Sequence, residues 1–474
     1  MLETSYAPDI PGAPAGVTDT LVRFAASLRF EDIPDAVVRR LKLHLLDTLG
    51  CAVAGRQLDV ARSARQAGKA MGAGGACRVF GTAERFTPTA AAFANAVAAN
   101  ALDYDDGLEI EGKGLGHPGA SVVASLLAAH DTRPRDGKAW LTAFAAAFEI
   151  NHRLIYAMQP SAGRFREAYG VAQHQTVGAC VAYALLRGLP LPVLEQAFGL
   201  AATLTCVPSL HKYNWRRRPI ISLKDFVAPA AQGGVQAVLM AEAGLVGSRD
   251  VLDGEHGFWR MIGSDAFDPD VLVADLGRRW WTEHGSFKLY PACRWLASAL
   301  EAFETLVFRH GIPAGDIVRI EVHTFGTIVD KLMDRRPACA IDAQFSLPYA
   351  LAAIAHRLPK GPAWFDAATL ASPALHSVAD RVFAFVDPGL DEAMSGRQRR
   401  PGARVIVQVR SGAALVLEVP SPLGSRSRPA ATDAIVAKFD ANLASQGLDP
   451  GPVREMVLNL EKQEPALDWS ALMT

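Results

Sequence analysis

Cysteine is scarce in this sequence: Cys51, Cys77, Cys180, Cys206, Cys293 and Cys339 are all there is in 474 residues. None lies at zinc-ligand or C-x-x-C spacing from another. Most occupy apolar stretches where a thiol behaves as a small hydrophobe, so no disulfide framework is expected. Net charge is scarce too, since 48 Lys and Arg face 49 Asp and Glu. A nucleic acid or an anionic membrane has no broad electrostatic footing on such a chain, while a small acidic ligand in a local basic pocket stays open. Long hydrophobic runs are missing. The longest, Thr89 to Leu102, is too short for a bilayer and is broken by Asn95 and Asn100. Residues 1–16 carry neither a basic nor an apolar stretch, so no secretory signal is expected. The G-x-S-x-G, H-E-x-x-H and phosphate-loop signatures are absent as well. The expectation is a soluble, cytoplasmic protein with no nucleic-acid or membrane partner.

What is present is a globular composition. Hydrophobic residues make up 50% and charged ones 20%, which rules out a mainly disordered chain. Two or three cores are expected, because a single core rarely grows beyond roughly 250–300 residues. To about Gly285 the apolar pattern is helical. Val38, Leu41, Leu45, Leu49 and Ala52 recur at three- and four-residue steps, a stripe ending near Gly55. Thr87-Pro88 reads as the cap and first residue of a helix over 89–102, whose many alanines imply close neighbours on several sides. Further helices are predicted at about 119–130, 137–158, 174–187, 191–205 and 224–243, with Gly188 and Gly244 as terminators.

After Lys288 the character changes. A helix over about 292–310 precedes residues 317–323, which alternate as a half-buried strand, and helices are expected over 345–357 and 364–371. Residues 404–410 and 413–419 flank Ser411-Gly412 as a hairpin. The fold class is therefore mainly α with a smaller α+β domain. A helical domain over 1–288 is completed by 422–474, and an α+β lid domain covers 289–421. Ser421 to Pro429 reads as a linker, and Trp215 to Arg218 as a solvated basic loop.

Four segments combine ionisable residues with breaks in the pattern. Asp103, Asp105 and Asp106 end the alanine-rich helix, where the dipole disfavours negative charge; solvated they cost little, buried they require cations or protons. His117 precedes Pro118 at the start of one helix, and His174 stands at the start of another. A helix N-terminus disfavours imidazolium, so both are expected to be neutral and close to an anion-binding spot. The glycines from Gly112 to Gly119 hint only weakly at a phosphate loop, because no strand is evident before them. Lys224 and Lys288 stand among Leu, Phe and Tyr. They are either snorkelling surface residues or partly desolvated lysines that hold a carboxylate or act as bases.

Leu46 to Gly55, reading LDTLGCAVAG, resembles the opening signature of the 2-methylcitrate dehydratase family (MmgE/PrpD), which includes cis-aconitate decarboxylases and iminodisuccinate epimerases. Asn100 to Asp106 and His117-Pro118-Gly119 are similar to its Asp-rich and His-Pro elements. His174, Lys224, Lys288 to Cys293 and Asp342 to Tyr349 match later elements in order. The resemblance implies a homodimer with its active site between the helical domain and the lid. It also implies chemistry without metal or organic cofactor on a small carboxylic acid. Carried over residue by residue, the catalytic groups are Asp103, His117, His174, Lys224 and Lys288, with Asp106, Tyr290, Cys293 and Arg294 binding substrate. The chain departs from the cis-aconitate decarboxylases at Gly107, where they carry Thr, and at Cys293, where they carry His.

The function expected from this resemblance is a cofactor-independent lyase. It would move a proton next to a carboxylate of a 2-methylcitrate- or cis-aconitate-like di- or tricarboxylic acid, with dehydration or decarboxylation. One alternative is an isomerase or epimerase using the same proton abstraction. Another is a metal-dependent hydrolase with Asp103, Asp105, Asp106, His117 and His174 as ligands. A third is a dimeric binding protein without turnover.

Overall fold

A computed structural model describes residues 16–110, 113–167, 174–206, 212–223, 225–396, 399–464 and 467–473. The stripe from Val38 to Ala52 lies in one long helix, Asp35–Gly55, with almost every side chain from Leu41 onward buried. Thr87 and Pro88 open the alanine-rich helix Pro88–Asn100. That helix is central: it packs against Asp35–Gly55, Asp59–Gly72, Pro118–Thr132 and Val227–Glu242. Small side chains permit this crowding. A Cβ on Gly55 would lie 2.4 Å from the Ala98 carbonyl oxygen, so a side chain there would push the two helices apart. Gly137–Ala157, Gln175–Arg187 and Leu191–Thr203 complete the bundle, and Gly188 closes the Gln175–Arg187 helix in the left-handed region at φ +66°.

Five short strands interrupt the helical part against expectation. β1 (Ala73–Val79) and β2 (Thr82–Phe86) form a hairpin, its pattern hidden in sequence by Gly74, Gly75 and exposed polar positions. β3 (Gly107–Ile110), β4 (Lys113–Leu115) and β5 (Gly285–Ser286) form a second antiparallel sheet, in which Gly107 pairs with Ser286 and Leu108 with Gly285. A strand therefore does precede the glycines near His117, but it belongs to a hairpin and not to a strand–loop–helix phosphate site.

The sheet of the second half has the order β7-β6-β8-β9, with β6 at Ile317–Thr324, β7 at Val382–Val386, β8 at Ala403–Val409 and β9 at Ala414–Val419. The hairpin around Ser411-Gly412 is present in the expected antiparallel register. β6 and β8 alternate, with Ile320, Val322, Val405 and Val407 buried, and helix Ala297–Arg309 packs on β8 and β9. β7 escaped the sequence reading because Val-Phe-Ala-Phe-Val is a short continuous apolar run, which periodicity does not distinguish from buried helix. The helix expected over 364–371 is only a 3₁₀ turn at Pro362–Trp364 and one turn at Ala367–Leu370, split by the cap residue Asp366.

Two cores result. The helical core takes in Phe439, Leu443, Val457 and Trp469 from the C-terminal segment. The second core runs from Tyr290 to Val419 and also recruits Cys51, Leu102, Tyr104 and Tyr213 from the first half. The molecule is thus mainly α with a smaller α+β region. No described helix is long and apolar enough to cross a membrane. Residues 421–429 are not a free linker: Ser421 and Ser425 are buried, the Phe287 N–H donates to the Gly424 carbonyl at 3.1 Å, and Arg428 pairs with Glu301 at 2.6 Å.

The helix Thr432–Ala444, from the C-terminal segment, lies along Asp35–Gly55. Between them Lys438 Nζ sits 2.6 Å from Asp47 Oδ1, both side chains almost fully buried. The same ammonium donates to the carbonyls of Tyr104 at 2.5 Å and Lys288 at 3.0 Å. Removing one partner of such a pair strands the other charge, at a cost of about 3–5 kcal/mol, whereas replacing both with apolar groups is often neutral. Lys438→Met should therefore lower the unfolding free energy in urea by about 3–5 kcal/mol, and Asp47→Leu/Lys438→Met should recover most of that loss. A single variant as stable as the parent would refute this account of the pair.

Candidate active site

The alanine-rich helix stops at Asn100, and Asp103 turns the chain with φ +50°, a left-handed conformation that Asp tolerates better than most residues. The turn leads through Asp105 and Asp106 into β3. Because β3 pairs with β5, Lys288 is delivered to the turn: its Nζ donates to Asp103 Oδ1 at 2.8 Å and to the Asp103 carbonyl at 3.0 Å. Lys288 is only 6% exposed, which excludes the snorkelling alternative.

His117 caps the helix Pro118–Thr132 and faces three carboxylates. Its Nδ1 lies 3.2 Å from Asp105 Oδ2, and its Nε2 lies 3.5 Å from Asp225 Oδ2 and 4.0 Å from Asp103 Oδ1. The helix start does not set the balance here, and the shift runs opposite to the one expected from it. Burial opposes the charge, but Asp105 and Asp225 outweigh it and raise the His117 pKa above its ordinary value of 6.5. Magnitudes favour this sign: one opposite charge at 4 Å contributes about 4 kcal/mol at an effective dielectric near 20. Two such carboxylates exceed both the helix-terminus effect, about 0.3–1 kcal/mol, and a desolvation penalty of several kcal/mol.

Asp106 is spent on architecture. Its Oδ1 accepts the Gly119 N–H at 3.0 Å and its Oδ2 lies 2.7 Å from His44 Nδ1. A Cβ on Gly119 would come within 2.8 Å of Asp106 Oδ1, so the glycine after His117-Pro118 is what lets the carboxylate reach the helix N-terminus. Burial pushes Asp106 up to about 7, with Asp105 adding to it, and pushes His44 well below its usual range. Burial thus disfavours charge on both members of the pair. His44 itself is fixed by stacking on Phe287 at 4.4 Å.

Asp103, Asp106, His117, Lys288, Cys293 and Arg294 all line one cleft of about 640 Å³, part of it open to solvent. Arg294 is ion-paired with Glu109. Burial raises the Cys293 thiol to about 12, so it stays protonated. Two expected residues are placed elsewhere. Tyr290 turns its hydroxyl to Glu304, donating at 2.6 Å, and is not part of the described wall. His174 is buried near His152 and is not among the described lining residues of the cleft; burial pushes it down to about 3, and neither ring nitrogen has a partner among the described residues. Lys224 lies outside the described residues. Its neighbour Asp225 lines the cleft, a role that no pattern in the sequence marks. Also unforeseen are Tyr213, Trp215, Trp295 and Phe345. Trp215 belonged to the supposed solvated basic loop, yet it lines the cleft, and Arg218 of that run holds Asp342 at 3.1 Å.

Asp103, His117 and Asp225 offer one ligand atom each within 4.8 Å of one another, a spacing that suits a divalent ion. Lys288 already supplies a positive charge 2.8 Å from Asp103 Oδ1.

Because folding raises the His117 pKa, the imidazolium persists above 6.5 and is lost only as pH rises through the raised value. In protein labelled with ¹³C-histidine, the resonance removed by His117→Gln should titrate with a midpoint above 6.5, and Asp225→Asn should move that midpoint down. A midpoint below 6.5 in the parent protein would contradict the electrostatics described here.

The chain is similar to proteins of one family along most of its length. Residues 19–270 match the model of the MmgE/PrpD N-terminal domain and residues 290–461 that of the MmgE/PrpD C-terminal domain. A cis-aconitate decarboxylase of Aspergillus terreus is 26% identical over 475 aligned residues, covering 95% of this chain and 94% of that protein. The cis-aconitate decarboxylases of Homo sapiens and Mus musculus are 27% and 25% identical, each over 60% of this chain and 58% of theirs. With both domain models matched in order over most of its length, the chain belongs to the MmgE/PrpD family.

Proposed function

We propose that this protein is a lyase acting on a small carboxylic acid, and that it works by proton transfer at a carbon next to a carboxylate without a metal or organic cofactor. The observation that carries the reading is a buried His117 set among carboxylates that raise its pKa, beside Lys288 in a cleft. The relatives named cis-aconitate decarboxylase support the reaction class. Substrates of the cis-aconitate or 2-methylcitrate kind are the starting point.

In a decarboxylation the C–C bond to one carboxylate breaks and CO₂ leaves. The electron pair stays on carbon, drawn toward a conjugated carboxylate. Lys288 and Arg294 face that developing negative charge, and His117 gives its Nε2 proton to the carbon. In a dehydration a carboxylate such as Asp225 takes the proton next to the substrate carboxylate, and His117 protonates the departing hydroxyl. The same proton step with no group leaving would be an epimerisation. Cys293, protonated, is a hydrogen-bond donor and not a nucleophile.

Incubation of the enzyme with a panel of di- and tricarboxylic acids in D₂O, read by NMR, should show deuterium at carbon in one substrate or its product. His117→Gln and Lys288→Met should each reduce turnover by about 10²–10⁴-fold. Lys288→Met should also lose stability, because Asp103 is left buried without its ammonium. Near-parental turnover in either variant would sink the assignment.

The spacing of Asp103, His117 and Asp225 gives the metal-dependent reading its one specific support. Turnover should be unchanged after exhaustive EDTA treatment. Activity lost on chelation and restored by a single divalent ion would favour the metal-dependent hydrolase instead.

A further inference from the structure

We infer that the Tyr213 hydroxyl touches the substrate, donating a hydrogen bond to an oxygen of the carboxylate next to the reacting carbon. For the reaction this rests on the lyase reading above; for the carboxylate contact it does not. The cleft is lined by an ionisable set, Asp103, His117, Asp225 and Lys288, and by an aromatic wall that includes Tyr213. Tyr213 stacks on Trp215 with ring centroids 5.7 Å apart and meets Phe226 at 6.3 Å, and Trp215 meets Phe345 edge-on at 5.8 Å. Held by these rings and only 1% exposed, Tyr213 has no room to swing its hydroxyl out to bulk water.

That hydroxyl has no hydrogen-bond partner among the described residues. A buried polar group left unpaired is unfavourable, and native proteins leave few of them. Three other buried tyrosines show the usual outcome. Tyr290 donates to Glu304 and Tyr349 to the Trp364 carbonyl, while the Tyr183 hydroxyl accepts from Arg187 at 3.1 Å. Burial, with Asp225 and Asp103 adding to it, pushes the Tyr213 phenol well above its ordinary value of 10, yet it bonds to neither carboxylate. It stays a phenol, and so acts as a donor and not as a base. The same two carboxylates lie 3.5 and 4.0 Å from His117 Nε2, and the hydroxyl's residue and the imidazole border one space. A substrate carboxylate in that space supplies the acceptor the phenol lacks. Negative charge moves onto its oxygens when an electron pair forms on the adjacent carbon, and a donor fixed in advance strengthens as that charge builds.

Tyr213→Phe deletes the hydroxyl and keeps the ring. Without ligand its Tm should equal or exceed the parent's, because no partner is lost, whereas Tyr290→Phe, which strips Glu304 of a donor, should lower the Tm. The probes for binding are tricarballylate and succinate, saturated acids with three and two carboxylates. By isothermal titration of the whole protein, whichever of them the parent binds should bind Tyr213→Phe about 10- to 100-fold more weakly, the factor carried by a hydrogen bond to a charged acceptor. A lowered Tm in Tyr213→Phe, parental affinity for both acids, or no binding of either by the parent would overturn the inference. Parental affinity is also what a hydroxyl that merely holds a water would give. The reaction is read separately, by deuterium exchange into a panel of acids in D₂O. A parent that binds these acids more tightly than Tyr213→Phe but exchanges no proton of any acid would sink the lyase reading and leave this one standing. Exchange as fast in Tyr213→Phe as in the parent, with equal affinity, would do the reverse.

Discussion

One ammonium group organises the centre of this molecule. Lys438, on a helix near the C-terminus, is buried against Asp47 of the long second helix and donates to the carbonyls of Tyr104 and Lys288. Those carbonyls flank the two residues that meet in the site, Asp103 and Lys288. Taking an ammonium out of water costs several kcal/mol, and the cost is offset only if its donors are satisfied. Here a carboxylate and two carbonyls satisfy them. Asp47 is pushed up to about 7 by burial, with Lys438 opposing that rise, so the pair depends on both members being present. The arrangement ties three distant stretches of chain to one point, and the geometry of the cleft follows from that point.

Around it the carboxylates divide their tasks. Asp106 is turned to the Gly119 N–H and to His44, and thereby holds the start of the helix that His117 caps. Asp105 and Asp225 face His117 and favour its charged form, while Asp103 holds Lys288. Four acidic residues within one small volume would repel strongly with no cation or proton among them. The buried negative charge is thus what raises the pKa of a histidine that the helix start alone would lower.

Much of this was legible from sequence because its signals are local. The alanine-rich helix announced itself through Thr87-Pro88 and its small side chains, and the hairpin of β8 and β9 through a Ser-Gly turn between alternating runs. Asp103, His117 and Lys288 stood out as ionisable residues in apolar company beside breaks in the pattern. The rest depends on contacts that have no local trace. β3, β4 and β5 have four, three and two residues, shorter than any alternation can register, yet they set Lys288 against Asp103. His174 sits at a helix start just as His117 does, but it is buried near His152, and Tyr290 is claimed by Glu304. The aromatic wall was hidden for a similar reason: Trp215 lay in a run of arginines, whose charge dominated the local reading.

The separation of these contacts along the chain sets an order of assembly. Asp103 and Lys288 are 185 residues apart, and the carbonyl of Lys288 waits a further 150 residues for Lys438. During synthesis the carboxylates of the first hundred-odd residues emerge long before the cations that neutralise them. Until residue 438 has left the ribosome, Asp47 has no ammonium to accept, and the turn at Asp103 lacks its brace. A helix made late braces residues made early, so a chain cut short of it is expected to be silent and not half-active.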